Sequence, residues 1–106
     1  MVFPFSAALL DSCVLAIVER GDAYGYILTQ KMKEKMEISE STLYPVLRRL
    51  QKDRCLTTYD QPYQGRNRRY YAITDEGRAK LEEYRKEWIN YRGIVEDILF
   101  GGERNG

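Results

Sequence analysis

From Ile38 to Asp53 the chain reads ISESTLYPVLRRLQKD, and a short stretch later it reads QGRNRRYY. In the first segment Leu43, Val46, Leu47 and Leu50 recur at i, i+3, i+4 and i+7, the spacing of one buried helix face. Ser41, Thr42, Arg48, Arg49 and Lys52 must then point outward, with Tyr44 and Gln51 at the flank. The second segment sets Arg66, Arg68 and Arg69 on a short ribbon between β-forming stretches. A helix apolar on one side and cationic on the other, running into a basic hairpin, restricts the chain to small folds that present both cationic surfaces together.

Net charge is only +1, so its distribution says more than its sum. Residues 1–40 carry four basic and six acidic side chains, residues 41–69 seven and two, and residues 74–100 five and seven. A block of +5 thus lies between two blocks of −2, which gives a local field for phosphates without making the whole surface adhesive. So many cations on one helix and one hairpin tip exceed what solubility requires.

A chain of 106 residues suits one domain with a thin core, for which pairing with a second copy is a natural way to bury more apolar surface. Asp11 interrupts the apolar start and Glu19 and Arg20 end it, so no stretch approaches the length of a membrane span. The start also lacks the charged leading region and small-residue cleavage site of a signal peptide, and the expected location is the cytoplasm. Cys13 and Cys55 are far apart and no histidine exists, so one chain builds neither a zinc site nor a Cys/His catalytic pair. Both cysteines are expected as small buried hydrophobes, with a redox-sensing thiol as the alternative. No phosphate-cradling glycine loop is present and the carboxylates are scattered along helices, so no enzyme, metal or cofactor is expected.

Phe5 to Val18 is apolar on nearly every side, as in a helix buried between its own domain and a partner, and Gly21 closes it. Asp22 is expected to cap a second helix that carries Tyr24, Ile27, Leu28 and Met32 on one side and Lys31, Lys33 and Lys35 toward its far end. Either Ser39 or Ser41 caps the third helix; with Ser41, Pro45 falls in the first turn, where its missing N–H costs nothing. Leu56 to Tyr59 forms a strand, Pro62 and Gly65 break the run, and Arg69 to Thr74 resumes it. Alternation puts Tyr71 and Ile73 inward and leaves Arg68 and Tyr70 facing water or a ligand. Thr74, Asp75 and Glu76 start a helix that runs to about Phe100, where Gly101 and Gly102 stop it. Its residues Leu81, Tyr84, Trp88, Tyr91, Val95 and Ile98 step by threes and fours, the spacing of a coiled-coil seam, and are expected to meet a second subunit and the first helix.

This order is that of a mainly α fold with a small β-hairpin: a winged helix-turn-helix plus a long C-terminal dimerisation helix. GDAYGYIL, STLYPVLRRLQKD and GRNRRYYAITDEGR resemble the PadR family of bacterial transcriptional regulators, over roughly residues 6–100. The single terminal helix resembles the compact branch of that family. One departure is Arg54, where many relatives have glycine, so the turn after the third helix is expected to differ in shape or to be strained. The expected division is a winged helix-turn-helix over residues 1–74, a dimerisation helix over 75–100 and a disordered tail over 101–106.

The resemblance implies a homodimeric repressor on a pseudo-palindromic, double-stranded DNA operator, released by a small-molecule effector. Two third helices would enter successive major grooves about 34 Å apart, each with a wing beside it. Ser41, Thr42, Tyr44, Arg48 and Lys52 are the candidates on the helix, with Arg66 and Arg68 holding the wing to phosphate or narrow minor groove. Leu9, Leu81, Tyr84, Trp88, Tyr91, Val95 and Ile98 are the candidates for the dimer interface. Trp88 has two readings: packing between subunits, or, as in drug-responsive members of the compact branch, one wall of a flat slot for a planar aromatic or planar cationic compound. Tyr84, Tyr91 and Arg92 would be its neighbours in that slot. A separate alternative is a winged-helix module that binds protein through the same surface and does not bind DNA.

Overall fold

A computed structural model describes residues 6–101. Four helices and three strands follow one another as α1 (Ala7–Glu19), β1 (Ala23–Tyr24), α2 (Gly25–Met36), α3 (Glu40–Lys52), β2 (Leu56–Tyr63), β3 (Arg66–Ile73) and α4 (Asp75–Leu99). The strands form one antiparallel sheet in the order β1-β3-β2, giving the expected mainly helical winged architecture with one more strand than the hairpin alone.

The Ser6 hydroxyl caps α1 by accepting from the Leu9 N–H at 3.2 Å. The expected start at Phe5 lies outside the described residues. Leu10, Val14, Leu15 and Val18 of α1 meet Leu28 and Met32 of α2 and the full stripe Leu43, Val46, Leu47 and Leu50 of α3 in one core. Each such side chain contributes about 1.5–3 kcal/mol by leaving water. Ile27 does not join them and stands exposed, and α2 starts two residues later than a cap at Asp22 implies. The cause of the later start is β1: Ala23 and Tyr24 pair with Tyr71 and Tyr70, which removes Asp22 from any helix cap and makes Tyr24 the N-cap instead. Asp22 accepts from the Tyr59 hydroxyl at 2.7 Å.

Ser39 is the residue that caps α3, accepting from the Thr42 N–H at 3.3 Å. Pro45 therefore sits inside the helix, beyond the first turn, and the Ser41 carbonyl lacks its i+4 donor. At the other end Cys55 N–H donates to the Leu50 carbonyl at 2.8 Å and Arg54 N–H to the Gln51 carbonyl at 3.0 Å, a Schellman turn. Arg54 occupies the left-handed position of that turn, with φ +62°. This is the place where a glycine is relaxed and an arginine is strained.

Both hairpin strands are longer than expected. Pro62 lies within β2 opposite Asn67, which is tolerated because β2 is an edge strand. Gln64 and Gly65, at φ +50° and +78°, make the two-residue turn, and both positive values match the mirror-image turn that suits a twisted hairpin.

The Thr74 hydroxyl caps α4 by accepting from the Gly77 N–H at 2.9 Å, while its own N–H donates to the Cys55 carbonyl at 3.1 Å. Gly77 lets the helix start rest directly on Cys55, just before β2, and on the end of β3, since a methyl there would run into the Cys55 carbonyl oxygen and lie 2.8 Å from Ile73 Cγ1. Leu81 is only 1% exposed and packs inside its own chain, which corrects its expected place in an intersubunit seam: the first turns of α4 belong to the core. Cys55 is buried and Cys13 half-buried, and burial pushes both thiols up, away from the reactive thiolate. Among the described residues no helix is long and apolar enough to cross a membrane.

Candidate nucleic-acid interface and aromatic groove

With the apolar stripe of α3 turned into the core, Ser41, Thr42, Tyr44, Arg48 and Lys52 are all exposed on its outer side. Arg49 is not. It turns back toward α1 and pairs with Asp11, a carboxylate only 7% exposed, which corrects the expectation that both arginines of the pair face outward. The physical reason is that a buried carboxylate must find a donor, and Arg49 is the one α3 offers on that side. The hydroxyls of Ser41 and Thr42 lie 2.9 and 3.1 Å from the Ser39 hydroxyl, so both are engaged in the cap cluster at the N-terminus of α3.

On the hairpin, antiparallel register sorts the arginines by face. Arg69 stands opposite Asp60 and is 3.7 Å from its carboxylate. Arg66 closes the turn opposite Tyr63 and is exposed. Arg68 lies on the outer face between two rings, 3.7 Å from the Tyr63 centroid and 4.5 Å from that of Tyr24. Cation–π attraction to both rings holds the guanidinium in place while leaving its edge N–H groups free to donate. Among the described residues, no carboxylate lies within ion-pair distance of Arg48, Lys52, Arg66 or Arg68. These four cations are thus available, while Arg49 and Arg69 each face a carboxylate.

The outer sheet face continues as a series of aromatic rings. Tyr59 stacks on Tyr70 at 5.5 Å, Tyr70 meets Tyr24 at 5.8 Å, and Tyr24 meets Tyr26 at 6.1 Å. Hydrogen bonding to Asp22 raises the pKa of the Tyr59 phenol, keeping it a donor. The roles of Tyr24 and Tyr63 were missed from sequence, although the alternation that set Arg68 outward also puts Tyr63 beside it.

A second feature lies where α1 and α4 diverge: an open groove of about 480 Å³ lined by Ser6, Ala8, Leu9, Ser12, Tyr84, Glu87, Trp88 and Tyr91. It brings together Leu9, Tyr84, Trp88 and Tyr91 from the sequence-based set and leaves out Arg92. Trp88 and Tyr91 have ring centroids 6.3 Å apart, tilted by 44°, and are 43% and 61% exposed. Val95 and Ile98 continue along α4 beyond the groove, Ile98 at 75% exposure. Glu87 was missed because its place on the groove wall depends on how α4 crosses α1. Tyr84 reaches furthest in: its hydroxyl donates to Asp11 Oδ2 at 3.2 Å, and its pKa is pushed up to about 12, first by burial and then by the Asp11 carboxylate.

The family profile described as Transcriptional regulator PadR-like family matches residues 14–83, which span α1 into α4. A protein of Streptococcus mutans with a crystal structure is 44% identical, with 95% of each chain covered and a TM-score of 0.86. The PadR-like transcriptional regulator of Bacillus cereus is 33% identical over 86% of this chain and 91% of its own, with a TM-score of 0.77. A transcriptional regulator of Mycobacterium tuberculosis is 35% identical, covering 77% of this chain and 78% of that protein. The Bacillus cereus and Mycobacterium tuberculosis proteins are regulators of transcription, and the present winged fold, cationic helix and basic hairpin match that class. The chain belongs to the PadR-like family of transcriptional regulators.

Proposed function

We propose that the protein is a homodimeric repressor that binds a pseudo-palindromic operator and leaves it when a planar aromatic or planar cationic compound enters the groove. In this reading residues 1–74 are the DNA-binding unit, residues 75–100 the dimerising helix and residues 101–106 a tail, and the protein acts in the cytoplasm on the chromosome. The observation that carries the reading is the sorting of cations: among the described residues Arg48, Lys52, Arg66 and Arg68 have no carboxylate partner while their neighbours Arg49 and Arg69 have one. Arg48 and Lys52 reach base edges or phosphate from the major groove, Tyr44 packs at the entering end of α3, and Ser41 and Thr42 contact phosphate there. Arg66 and Arg68 follow the phosphate or the narrow minor groove from the wing.

Operator binding by Arg48→Ala and Arg68→Ala proteins at two salt concentrations tests this assignment. Each variant is expected to lose about tenfold or more in affinity, and loss of a phosphate contact lowers the salt slope by about one. Unchanged affinity and slope in both would falsify it. If no duplex shows a salt-dependent shift, the protein-interaction alternative takes its place. For the groove, Trp88 fluorescence is expected to quench saturably with planar aromatics, and a flat response across a broad panel reduces Trp88 to packing.

A further inference from the structure

Asp11 is the one charged side chain buried within α1, and its two oxygens face two different helices. Oδ1 accepts from the Arg49 guanidinium on α3, and Oδ2 accepts from the Tyr84 hydroxyl on α4 at 3.2 Å. Tyr84 is also a wall of the aromatic groove, and Arg49 is the immediate neighbour of Arg48. One carboxylate therefore joins the groove to the helix that carries the exposed cations. No buried side-chain polar atom among the described residues lacks a partner, so the joint is fully satisfied as it stands.

We propose that Asp11 is a positioning residue for α3, and that the Tyr84 hydroxyl makes its setting depend on the state of the groove. The buried apolar stripe sets the rotation of α3 about its own axis, and Arg49 anchored to α1 pins that rotation and with it the outward aim of Arg48 and Lys52. When an occupant of the groove, or the approach of a second α4, displaces the Tyr84 hydroxyl, Asp11 loses a donor in a site poor in water. The carboxylate then follows the hydroxyl or reorients toward Arg49, and in either case Arg49 and the phase of α3 shift. By linkage the coupling also runs backward: DNA that fixes α3 must be felt at Tyr84 and hence at Trp88. The inference rests on the DNA-binding reading for α3, but its test needs no groove ligand.

A separate α1–α4 tie provides the control. Arg85 reaches Glu19 at 2.9 Å and Glu82 at 3.3 Å on the exposed side, without touching Asp11. An operator duplex obtained by selection is titrated into wild type, Tyr84→Phe and Arg85→Ala, with duplex mobility and Trp88 emission read together. Wild type and Arg85→Ala are expected to show a saturable emission change that tracks binding. Tyr84→Phe keeps the ring but takes the same donor from Asp11, and is expected to bind the duplex more weakly than wild type while its Trp88 emission stays flat. Asp11→Asn, if folded, is expected to bind on the order of tenfold more weakly, although every proposed DNA contact is intact. An emission change in Tyr84→Phe equal to that of wild type overturns the proposal, as does wild-type binding that leaves Trp88 unmoved. Absence of any mobility shift overturns the DNA reading and this inference with it, and the mobility arm separates that case from a failure of coupling alone.

Discussion

Arg54 shows how much one backbone angle can cost. Its φ of +62° is set by the Schellman turn that ends α3 and sends the chain into β2, and the Thr74 hydroxyl, 2.6 Å from its carbonyl oxygen, holds the turn from the α4 side. A side chain in the left-handed region costs about 1–2 kcal/mol, of which a glycine recovers most while losing about 0.5–1 kcal/mol to the freedom of the unfolded chain. Arg54→Gly is therefore expected to stabilise the protein by about 1 kcal/mol, read as a rise of about 5 °C in Tm. A fall in Tm would show that the turn is not strained in solution. That this turn departs from the usual glycine was legible in the sequence; that Arg49 differs from Arg48 was not. The two are adjacent and chemically identical, and what separates them is a carboxylate 38 positions earlier that reads in the sequence only as an interruption of an apolar run.

At the level of elements, the helices were legible wherever apolar spacing persisted over several turns. The four inward residues of α3 lie where the three- and four-residue steps put them, and Thr74 caps α4 as its sequence implies. Strand ends were less legible, because Pro62 reads as a breaker until β2 is known to be an edge, and a two-residue strand such as β1 has no periodicity to detect. The junction of α1, α3 and α4 has a consequence in alkali. Tyr84 keeps its proton in the fold to about pH 12, whereas an unfolded phenol releases it near pH 10. The unfolded chain then binds fewer protons than the folded one, so this contribution is full below about pH 10 and is lost as pH rises toward 12. Thermal melts across that window are expected to fall more steeply for wild type than for Tyr84→Phe, and parallel curves would show that the phenol is not held. At neutral pH, Asp11→Ala is expected to cost about 2 kcal/mol in urea unfolding, because it strands a half-exposed guanidinium and an unpaired phenol.

The whole molecule measures 64 × 31 × 20 Å, and much of its length comes from α4. Beyond Tyr84 that helix leaves core contact, and Ile89, Ile94, Ile98, Leu99 and Phe100 are all exposed. Exposed apolar surface of this extent on a small protein is typical of an association surface, and the homodimer proposed above is the assembly that would cover it. Ile94→Asp combined with Ile98→Asp is expected to yield a folded monomer by sedimentation at micromolar concentration, with duplex affinity reduced. A wild-type protein that already sediments as a monomer would refute the homodimer. The steps of three and four in the sequence do not mark out this surface: Leu81 is claimed by the core with the first turns of α4, and Ile89, Ile94, Leu99 and Phe100 are exposed outside those steps. The missing Cβ of Gly77, set against the Cys55 carbonyl, then acquires a mechanical meaning. It sets how closely the start of α4 sits against the core, and the helix is about 33 Å long from Gly77 to Leu99, so a difference of about five degrees in its tilt places the far end about 3 Å away. In the homodimer proposed above, so small a difference in angle would be magnified along the helix, enough to alter the reach between the two reading heads.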